Sequence, residues 1–284
     1  MYRSASSSSA VVVGVDGSRW SVDAALWAID EAIQRDVPLR LLYVIAPRPH
    51  SAFENEQAAR DLACADVSIR RVLIAVESTE KPVKVEFEVL QGNPTSVLLE
   101  ASRSADLLCL GSLGIAHATG KKLGSTAATL SASAHCPIAI VGGGQHRSVQ
   151  PQHVVVELDE SADSTLLLDS GISEARLRGG PLTILTTCQV ERTYIRDDNN
   201  DENAQARLEK RLARYRRMNP DIHFNPVVAR GSTLNYIGHQ HNSIQLLVVG
   251  RHRRRGVGEI IGSAHAAPYP LECPLLICGN HSRL

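Results

Sequence analysis

The sequence contains two copies of one pattern. Five segments recur in the same order, at an offset that shortens only slightly along the chain: Val11-Val-Val-Gly-Val-Asp-Gly-Ser18 and Val154-Val-Val-Glu-Leu-Asp-Glu-Ser161, Pro38–Leu42 and Pro181–Leu185, Leu107–Gly111 and Leu246–Gly250, Gly124-Ser125 and Gly262-Ser263, and Cys136–Ile140 and Cys273–Ile277. One such match could be chance, but five in the same order indicate a duplicated domain. We predict domains at 1–146 and 151–284, joined by a polar, glycine-rich segment from Gly142 to Gln152.

Each half alternates strand patterns with helix patterns. Ala10–Val15 and Leu39–Ile45 are apolar runs typical of strands buried on both faces. Residues 20–35 and 54–77 carry apolar side chains at helical spacing. Val83–Val89 alternates apolar and polar residues, which places it near a sheet edge. The elements predicted next are a helix from Pro94, a strand at Asp106–Leu110, a helix from Gly124 and a strand from Cys136. This order predicts an α/β protein with two tandem, doubly wound, five-stranded parallel-sheet domains.

Composition argues against several classes of protein. Thirty Lys and Arg residues balance thirty Asp and Glu residues, and only 4% of residues are aromatic, so we expect no nucleic-acid partner. No apolar run reaches the roughly 20 residues of a membrane helix, and the N-terminal serines do not form a signal peptide. Six cysteines form no CxxC pair, which argues against a zinc site and favours a reduced, cytoplasmic chain. His239 and His241, two residues apart on an expected helix, are interpreted as surface residues.

Two segments of the first half are expected to meet where a ligand can bind. Open α/β sheets bind ligands beyond the carboxyl ends of their strands. The first strand ends in Asp16, and the fourth ends in the loop Gly111-Ser-Leu-Gly114, which is followed after nine intervening residues by Gly124-Ser125-Thr126 at a helix start. Glycines allow close approach to the backbone, and a helix N-terminus offers free N–H groups to a phosphate. Asp16 can accept a hydrogen bond from a ribose hydroxyl.

This glycine spacing after a strand resembles the nucleotide-binding motif of universal stress proteins. The opening Val13-Gly-Val-Asp-Gly-Ser18 and the closing His135-Cys-Pro-Ile-Ala-Ile-Val141 resemble that family as well. The resemblance spans nearly the whole chain, as a tandem member, and implies a Rossmann-like fold of the adenine nucleotide alpha-hydrolase type. In ATP-binding members the motif glycines and hydroxyls hold the phosphates, the first-strand Asp contacts the ribose, and a residue ending the second strand lines the adenine pocket. The resemblance therefore implies ATP, with or without Mg²⁺, held by Asp16, Val44, Gly111, Gly114, Gly124, Ser125 and Thr126.

The second half departs from this motif. Glu157 and Glu160 stand where the first half has Gly14 and Gly17, Arg253 stands at the second motif glycine, and Pro268 and Pro270 are expected to shorten the helix that follows Gly262. Acidic side chains there would repel a phosphate. One interpretation is that this half has lost nucleotide binding and serves as a packing partner. The other two interpretations concern the same four arginines, which either clamp phosphates or belong to a solvated loop: Arg251, Arg253, Arg254 and Arg255.

The function predicted from these features is a stress-response binding or regulatory module that binds ATP in its first domain. No general base or metal-binding pair of carboxylates is evident beside the loop, so we expect at most slow ATP hydrolysis. The alternatives are a nucleotide-free scaffold acting through dimer contacts and a genuine ATPase. In the family it resembles, last strands commonly pair across a dimer interface. Ile138–Val141 and Leu275–Cys278 are apolar enough for this, in a homodimer or an intramolecular pseudo-dimer.

Overall fold

The computed structural model describes residues 9–47, 54–114, 123–142, 152–158, 164–188, 198–240, 243–253, 256–261 and 273–279. The chain divides into two compact units, Met1–Gly143 and Gly144–Asn280. Both units are α/β, and every strand pairing described within a unit is parallel. The predicted fold class is therefore confirmed. The domain boundaries 1–146 and 151–284 stay predictions.

The first unit has five strands in the order β3-β2-β1-β4-β5. Its core is made of strand side chains such as Val11, Val13 and Leu41, which are fully buried. The prediction that the third strand lies at an edge is confirmed. The elements are β1 Val11–Val15, α1 Arg19–Arg35, β2 Leu39–Ile45, α2 Glu54–Glu77, β3 Val85–Gln91, α3 Pro94–Ala101, β4 Leu107–Gly111, α4 Ser125–Ser133 and β5 Ile138–Val141.

The second unit repeats this order when it is read from the corresponding edge strand, as β8-β7-β6-β9-β10. Helix α6 covers β8 with Leu208 and Leu212, which are buried, while Arg207, Arg211 and Arg214 are exposed. The elements are β6 His153–Glu157, α5 Ser164–Arg178, β7 Leu182–Cys188, α6 Asp198–Met218, β8 Phe224–Arg230, α7 Thr233–Gln240, β9 Ile244–Gly250, α8 Gly258–Ile261 and β10 Leu275–Cys278.

Local sequence explains how the helices of the first unit begin. Ser18 caps α1, its hydroxyl accepting from the backbone N–H of Ser21 at 3.2 Å. Asn93 caps α3 in the same way, and Pro94 occupies the first helical position, where no N–H is needed. Helix α4 begins after Gly124, whose lack of a side chain leaves the helix without a side-chain cap. The α4 N-terminus therefore keeps its backbone N–H groups available at the carboxyl edge of the sheet.

Candidate functional site

Asp16 follows β1 directly and is held in place by the start of α1. Its Oδ1 accepts a hydrogen bond from the backbone N–H of Ser18 at 3.0 Å. The residue between them, Gly17, has φ +86°, a left-handed conformation that favours glycine. Asp16 is half-buried. The β1–α1 turn therefore fixes a carboxylate at the carboxyl end of the central strand.

Gly111 and Gly114 both lie close to the segment that joins β1 to α1 and begins α1. A Cβ on Gly111 would lie 2.7 Å from the backbone carbon of Trp20. A Cβ on Gly114 would lie 2.9 Å from Oδ2 of Asp16. The structure thus brings Gly114 and Asp16 together, although they are far apart in the sequence. A larger residue at position 114 would fill the space beside the carboxylate.

The N-terminus of α4 lies against the same loop. The backbone N–H of Gly124 donates to the carbonyl of Ser112 at 2.7 Å. A Cβ on Gly124 would lie 3.5 Å from the backbone nitrogen of Gly114. Ser125 and Thr126 belong to the first turn of α4, which begins at this loop. Ser125 is exposed and Thr126 is half-buried. Backbone N–H groups and hydroxyls at a helix N-terminus suit a negatively charged group.

Val44 lies near the carboxyl end of β2, on the strand adjacent to β1. The register pairs Val15 with Tyr43, so Val44 is the next residue along and lies level with Asp16. Val44 is half-buried and pairs with Leu90 of β3. This position at the sheet edge is compatible with an apolar wall for a base, and no described contact joins Val44 to Gly114.

Tyr43 is a residue of this region that the sequence interpretation missed. Burial raises the pKa of its hydroxyl, the nearby Cys64, Asp16 and Asp61 raise it further, and a hydrogen bond with Ser68 opposes the shift. Tyr43 therefore lies near side chains of α2 and near Asp16. No pattern in the sequence marks this residue, since a tyrosine inside an apolar strand is ordinary.

The first unit thus brings backbone N–H donors and a carboxylate acceptor together at the carboxyl edge of its sheet. Gly114 leaves open a space that a Cβ would fill, Asp16 supplies an acceptor beside it, and the uncapped α4 N-terminus supplies donors. Neutral backbone donors with an adjacent carboxylate match the mixed demands of phosphates and ribose hydroxyls.

The second unit has a buried ion pair at the corresponding place. Nε and Nη2 of Arg253 donate to Oε2 and Oε1 of Glu157 at 2.8 Å and 2.7 Å. The hydroxyl of Thr233 donates to Oε1 as well, and Nη1 of Arg253 donates to the carbonyl of Gly256 at 2.8 Å. The side chains of Arg253 and Glu157 are only 4% and 7% exposed. Below we call these two residues the Glu157–Arg253 pair.

This pair bears on the interpretations left open by the sequence. Glu157 is neutralised by Arg253, so simple repulsion of phosphate by this carboxylate does not describe the site. Arg253 is bonded to its own unit instead of extending into solvent. The aliphatic part of Arg251 lies against Gly279, since a Cβ added to Gly279 would be 3.0 Å from the Cβ of Arg251. The remaining residues of interest in this half lie outside the described residues: Asp159, Glu160, Arg254, Arg255, Gly262, Ser263, Pro268 and Pro270.

Sequence reasoning singled out Glu157 and Arg253 separately and missed that they bind each other. The signal was present, because a glycine of the first strand and a motif glycine, Gly14 and Gly114, are replaced in the second half by side chains of opposite charge. Among the residues that the structure describes, no group of three His, Cys, Asp or Glu residues is placed to hold a metal ion. Nor does any helix in the described ranges have the length and apolar character needed to cross a membrane.

Comparison with known proteins follows the same division. The model of the universal stress protein family matches residues 8–142 and again 151–267. Universal stress protein Rv2028c of Mycobacterium tuberculosis is 38% identical over 274 residues, covering 95% of this chain and 96% of its own. Universal stress protein Rv3134c of the same organism is 40% identical over 245 residues, covering 86% and 88%.

A solved structure shares the fold over almost the full length. The crystal structure of a universal stress protein from Archaeoglobus fulgidus superposes with a TM-score of 0.69, covering 95% of this chain and 98% of that one. Sequence identity between the two is 17%, so the likeness concerns the fold.

Proposed function

The chain belongs to the universal stress protein family, with two family domains in tandem, and we propose from this that its first unit binds ATP as a regulatory module. Hydrolysis in this proposal is at most slow. The ligand is an adenine nucleotide, with or without Mg²⁺, and the setting is the cytoplasm. The second unit in its native form does not take up nucleotide.

One observation carries the proposal: Asp16, Gly114 and Gly124 meet at the carboxyl edge of the first sheet. A Cβ added to Gly114 would lie 2.9 Å from Oδ2 of Asp16. Glycine at position 114 keeps the space beside the carboxylate free of a side chain. The ribose hydroxyls would donate to Asp16, and the phosphates would accept from backbone N–H groups of the loop and of α4.

The remaining motif residues have subordinate roles in this proposal. Gly111 lets β4 approach the start of α1, so that the loop has its observed path. Ser125 and Thr126 add hydroxyl donors to the phosphate end. Val44 supplies an apolar wall for the base, and truncating it would weaken binding less than changing Asp16.

The proposal is tested by titrating the full chain with ATP. Both tryptophans, Trp20 and Trp27, lie in the first unit, and Trp20 borders Gly111, so intrinsic fluorescence reports on this site. Gly114→Arg should abolish measurable binding, because its side chain occupies the space beside Asp16. Asp16→Asn keeps an acceptor for Ser18 but removes the charge, and should weaken binding about tenfold, or ~1.4 kcal/mol.

Gly258→Arg is the matched control. It introduces the same side chain at an exposed glycine of the second unit, where a Cβ would meet nothing within 4 Å. ATP binding by this variant should equal that of the wild type. If the wild type shows no binding, the chain is instead a nucleotide-free scaffold acting through dimer contacts. Turnover that falls in Gly114→Arg and Asp16→Asn would make it an ATPase.

A further inference from the structure

The strands β3 in the first unit and β8 in the second are edge strands, each paired with a single described strand. In the first unit the backbone N–H of Leu39 donates to the carbonyl of Lys84 at 2.9 Å, and that of Gly92 donates to the carbonyl of Ile45 at 3.0 Å. Alternate residues of a parallel strand bond to opposite sides, so the even-numbered residues of β3 face β2. The backbone groups of three odd-numbered residues point away from β2: Val85, Phe87 and Val89.

The second unit closes this edge with its own atoms. The hydrogen bond that the carbonyl of His223 accepts from β7 places the even-numbered residues of β8 on the outer side. There Nη2 of Arg216 donates to the carbonyl of Phe224 at 3.2 Å. Nε2 of Gln205 donates to the carbonyl of Pro226 at 3.4 Å, and Pro226 has no N–H to offer another strand. The outer side of β8 is therefore blocked for strand pairing.

The edge of the first unit lacks this closure. Phe87 and Pro226 are each the third residue of their strand, so a residue with a backbone N–H stands where β8 has its proline. Within the described part of the chain, no side chain bonds to the outward carbonyls of β3. The Phe87 side chain is 61% exposed. An open edge strand with an exposed aromatic side chain is a surface on which another strand can pair.

The sequence of β3 fits a second copy of itself in one antiparallel register. The outward backbone groups belong to odd-numbered residues, so odd residues must face odd residues across the pair. With a two-fold axis at Glu86, Val85 faces Phe87 of the second copy, and Lys84 faces its Glu88. Aromatic–β-branched pairs and opposite charges stabilise opposed strands. With the axis at Phe87 instead, Glu86 would face Glu88 of the second copy twice, which brings like charges together.

The charges around Glu86 allow this residue to lie on the axis. Nζ of Lys84 donates to Oε1 of Glu86 at 2.8 Å, and Nη2 of Arg40 donates to Oε2 at 3.3 Å. The hydrogen bond from Lys84, joined by that from Arg40 and opposed by burial, lowers the pKa of the Glu86 carboxyl. Each copy thus brings two cations, Arg40 and Lys84, to two carboxylates, Glu86 and Glu88. The charges along the paired strands therefore balance.

We propose that β3 is an interface strand at which two copies of this chain pair antiparallel, with the two-fold axis at Glu86. The pairing joins the sheets of two first units edge to edge. It differs from the last-strand pairing expected from the sequence, because it uses β3 instead of Ile138–Val141 or Leu275–Cys278. It does not depend on nucleotide binding, so either proposal can fail without the other.

The first experiment measures the mass of the full chain by sedimentation across a range of concentrations. Phe87→Pro removes an outward N–H that the second strand needs and leaves the ladder to β2 intact, so it should halve the mass of the wild-type assembly. Val228→Pro is the matched control, because it changes an outward residue of the closed strand β8 and should leave the mass unchanged. A monomeric wild type, or an assembly that Phe87→Pro does not affect, would overturn the inference.

A charge exchange tests the same pairing without changing the backbone, and it covers the case in which Phe87→Pro does not fold. Lys84→Glu and Glu88→Lys each place like charges opposite one another, and each should halve the mass. The double variant Lys84→Glu/Glu88→Lys restores opposite charges across the two strands and should regain the wild-type mass. Single variants that keep this mass, or a double variant that does not regain it, would contradict the pairing.

An engineered disulfide tests the register. With the axis at Glu86, the two copies of this residue form a non-hydrogen-bonded pair whose Cα atoms lie about 4.5 Å apart, within reach of a disulfide. The parent carries Cys64→Ser, which removes an exposed cysteine of α2. On oxidation, Glu86→Cys in this parent should give a covalent dimer, and Glu88→Cys should not. Crosslinking of Glu86→Cys that does not exceed that of Glu88→Cys and of the parent would overturn the proposed register.

Discussion

The two units share a topology and differ at the carboxyl edge of the sheet. In the first unit, Gly114 leaves the space beside Asp16 without a side chain, and Gly14 lies against Leu110 and Leu98. In the second, Glu157 and Arg253 occupy the same two motif positions and bind each other in a buried pair. A duplicated fold can therefore keep its framework while the side chains at the carboxyl edge of the sheet differ between the two copies.

Another ion pair shows that the difference is local. Glu31 and Arg35 are paired on α1, and their counterparts Glu174 and Arg178 are paired on α5, with both carboxylates almost fully buried. These two i,i+4 pairs stand at equivalent positions of the repeat, because the same offset relates β1 to β6. Since both units retain this helix pair, it belongs to the framework, whereas the Glu157–Arg253 pair stands where the first unit has Gly14 and Gly114.

The largest expected effect is on stability and comes from breaking the pair that only the second unit has. Glu157→Ala leaves Arg253 buried without a counter-charge, which typically costs about 3–5 kcal/mol. Hydrogen exchange of α5 and β6 should show this loss, whereas tryptophan fluorescence, which reports on the first unit, should keep its unfolding midpoint. The control Asp66→Ala removes an exposed partner of Arg70 on α2 and should cost below about 1 kcal/mol. Similar losses in the two variants would mean that the pair is not a buried, coupled element.

The next effect comes from adding a side chain to the first unit where the second has one. Gly14→Ala places a Cβ 2.6 Å from Cδ2 of Leu110, and such overpacking costs about 1–3 kcal/mol. The residue of the second unit that corresponds to Leu110 is the smaller Val249. Leu110→Val should therefore recover part of the loss in the double variant, as measured by the tryptophan-monitored transition. Strict additivity of the two changes would show that Leu110 does not determine the fit at position 14.

The smallest effect concerns acid. Burial lowers the pKa of His153, and its Nε2 is buried without a hydrogen-bond partner, whereas the first unit has Ala10 at this position. The unfolded chain binds a proton at the His153 imidazole near pH 6.5, whereas the folded unit binds it only at lower pH. The stability that the folded unit gains from keeping His153 neutral is therefore fully present above pH 6.5 and is lost as the pH falls toward the folded pKa.

His153→Ala makes the second unit resemble the first and should remove this step. The measurement is the difference between wild type and variant in hydrogen exchange of the second unit, from pH 7 to pH 5, roughly the range over which histidine titrates. A difference that does not change with pH would contradict the assignment to His153.

The fold could be predicted from the sequence because buried parallel strands and amphipathic helices leave clear periodic patterns. Leu39–Ile45 and Glu54–Glu77 have the bounds that those patterns predict. The third strand begins two residues later than predicted, at Val85. Pro82 is the central residue of a tight turn in which the backbone N–H of Val83 donates to the carbonyl of Lys81 at 2.8 Å, and this turn keeps Val83 outside the strand.

The site was predictable only where a rule ties sequence position to place in the fold. The carboxyl ends of parallel strands meet at one edge, so the approach of Asp16 to Gly114 followed from the strand order. The contact between Glu157 and Arg253 depends on the rotamers of two long side chains 96 residues apart. Tyr43 was missed because its neighbours depend on the packing of α2 against β2, which periodicity does not specify.

The central claim is that one unit is open to nucleotide and the other is closed by its own side chains. Its most direct test is the number of ATP molecules bound per full-length wild-type chain, measured by calorimetry and repeated with Gly114→Arg. The account predicts one ATP for the wild type and none for the variant. Two ATP molecules for the wild type, or one retained by Gly114→Arg, would contradict it.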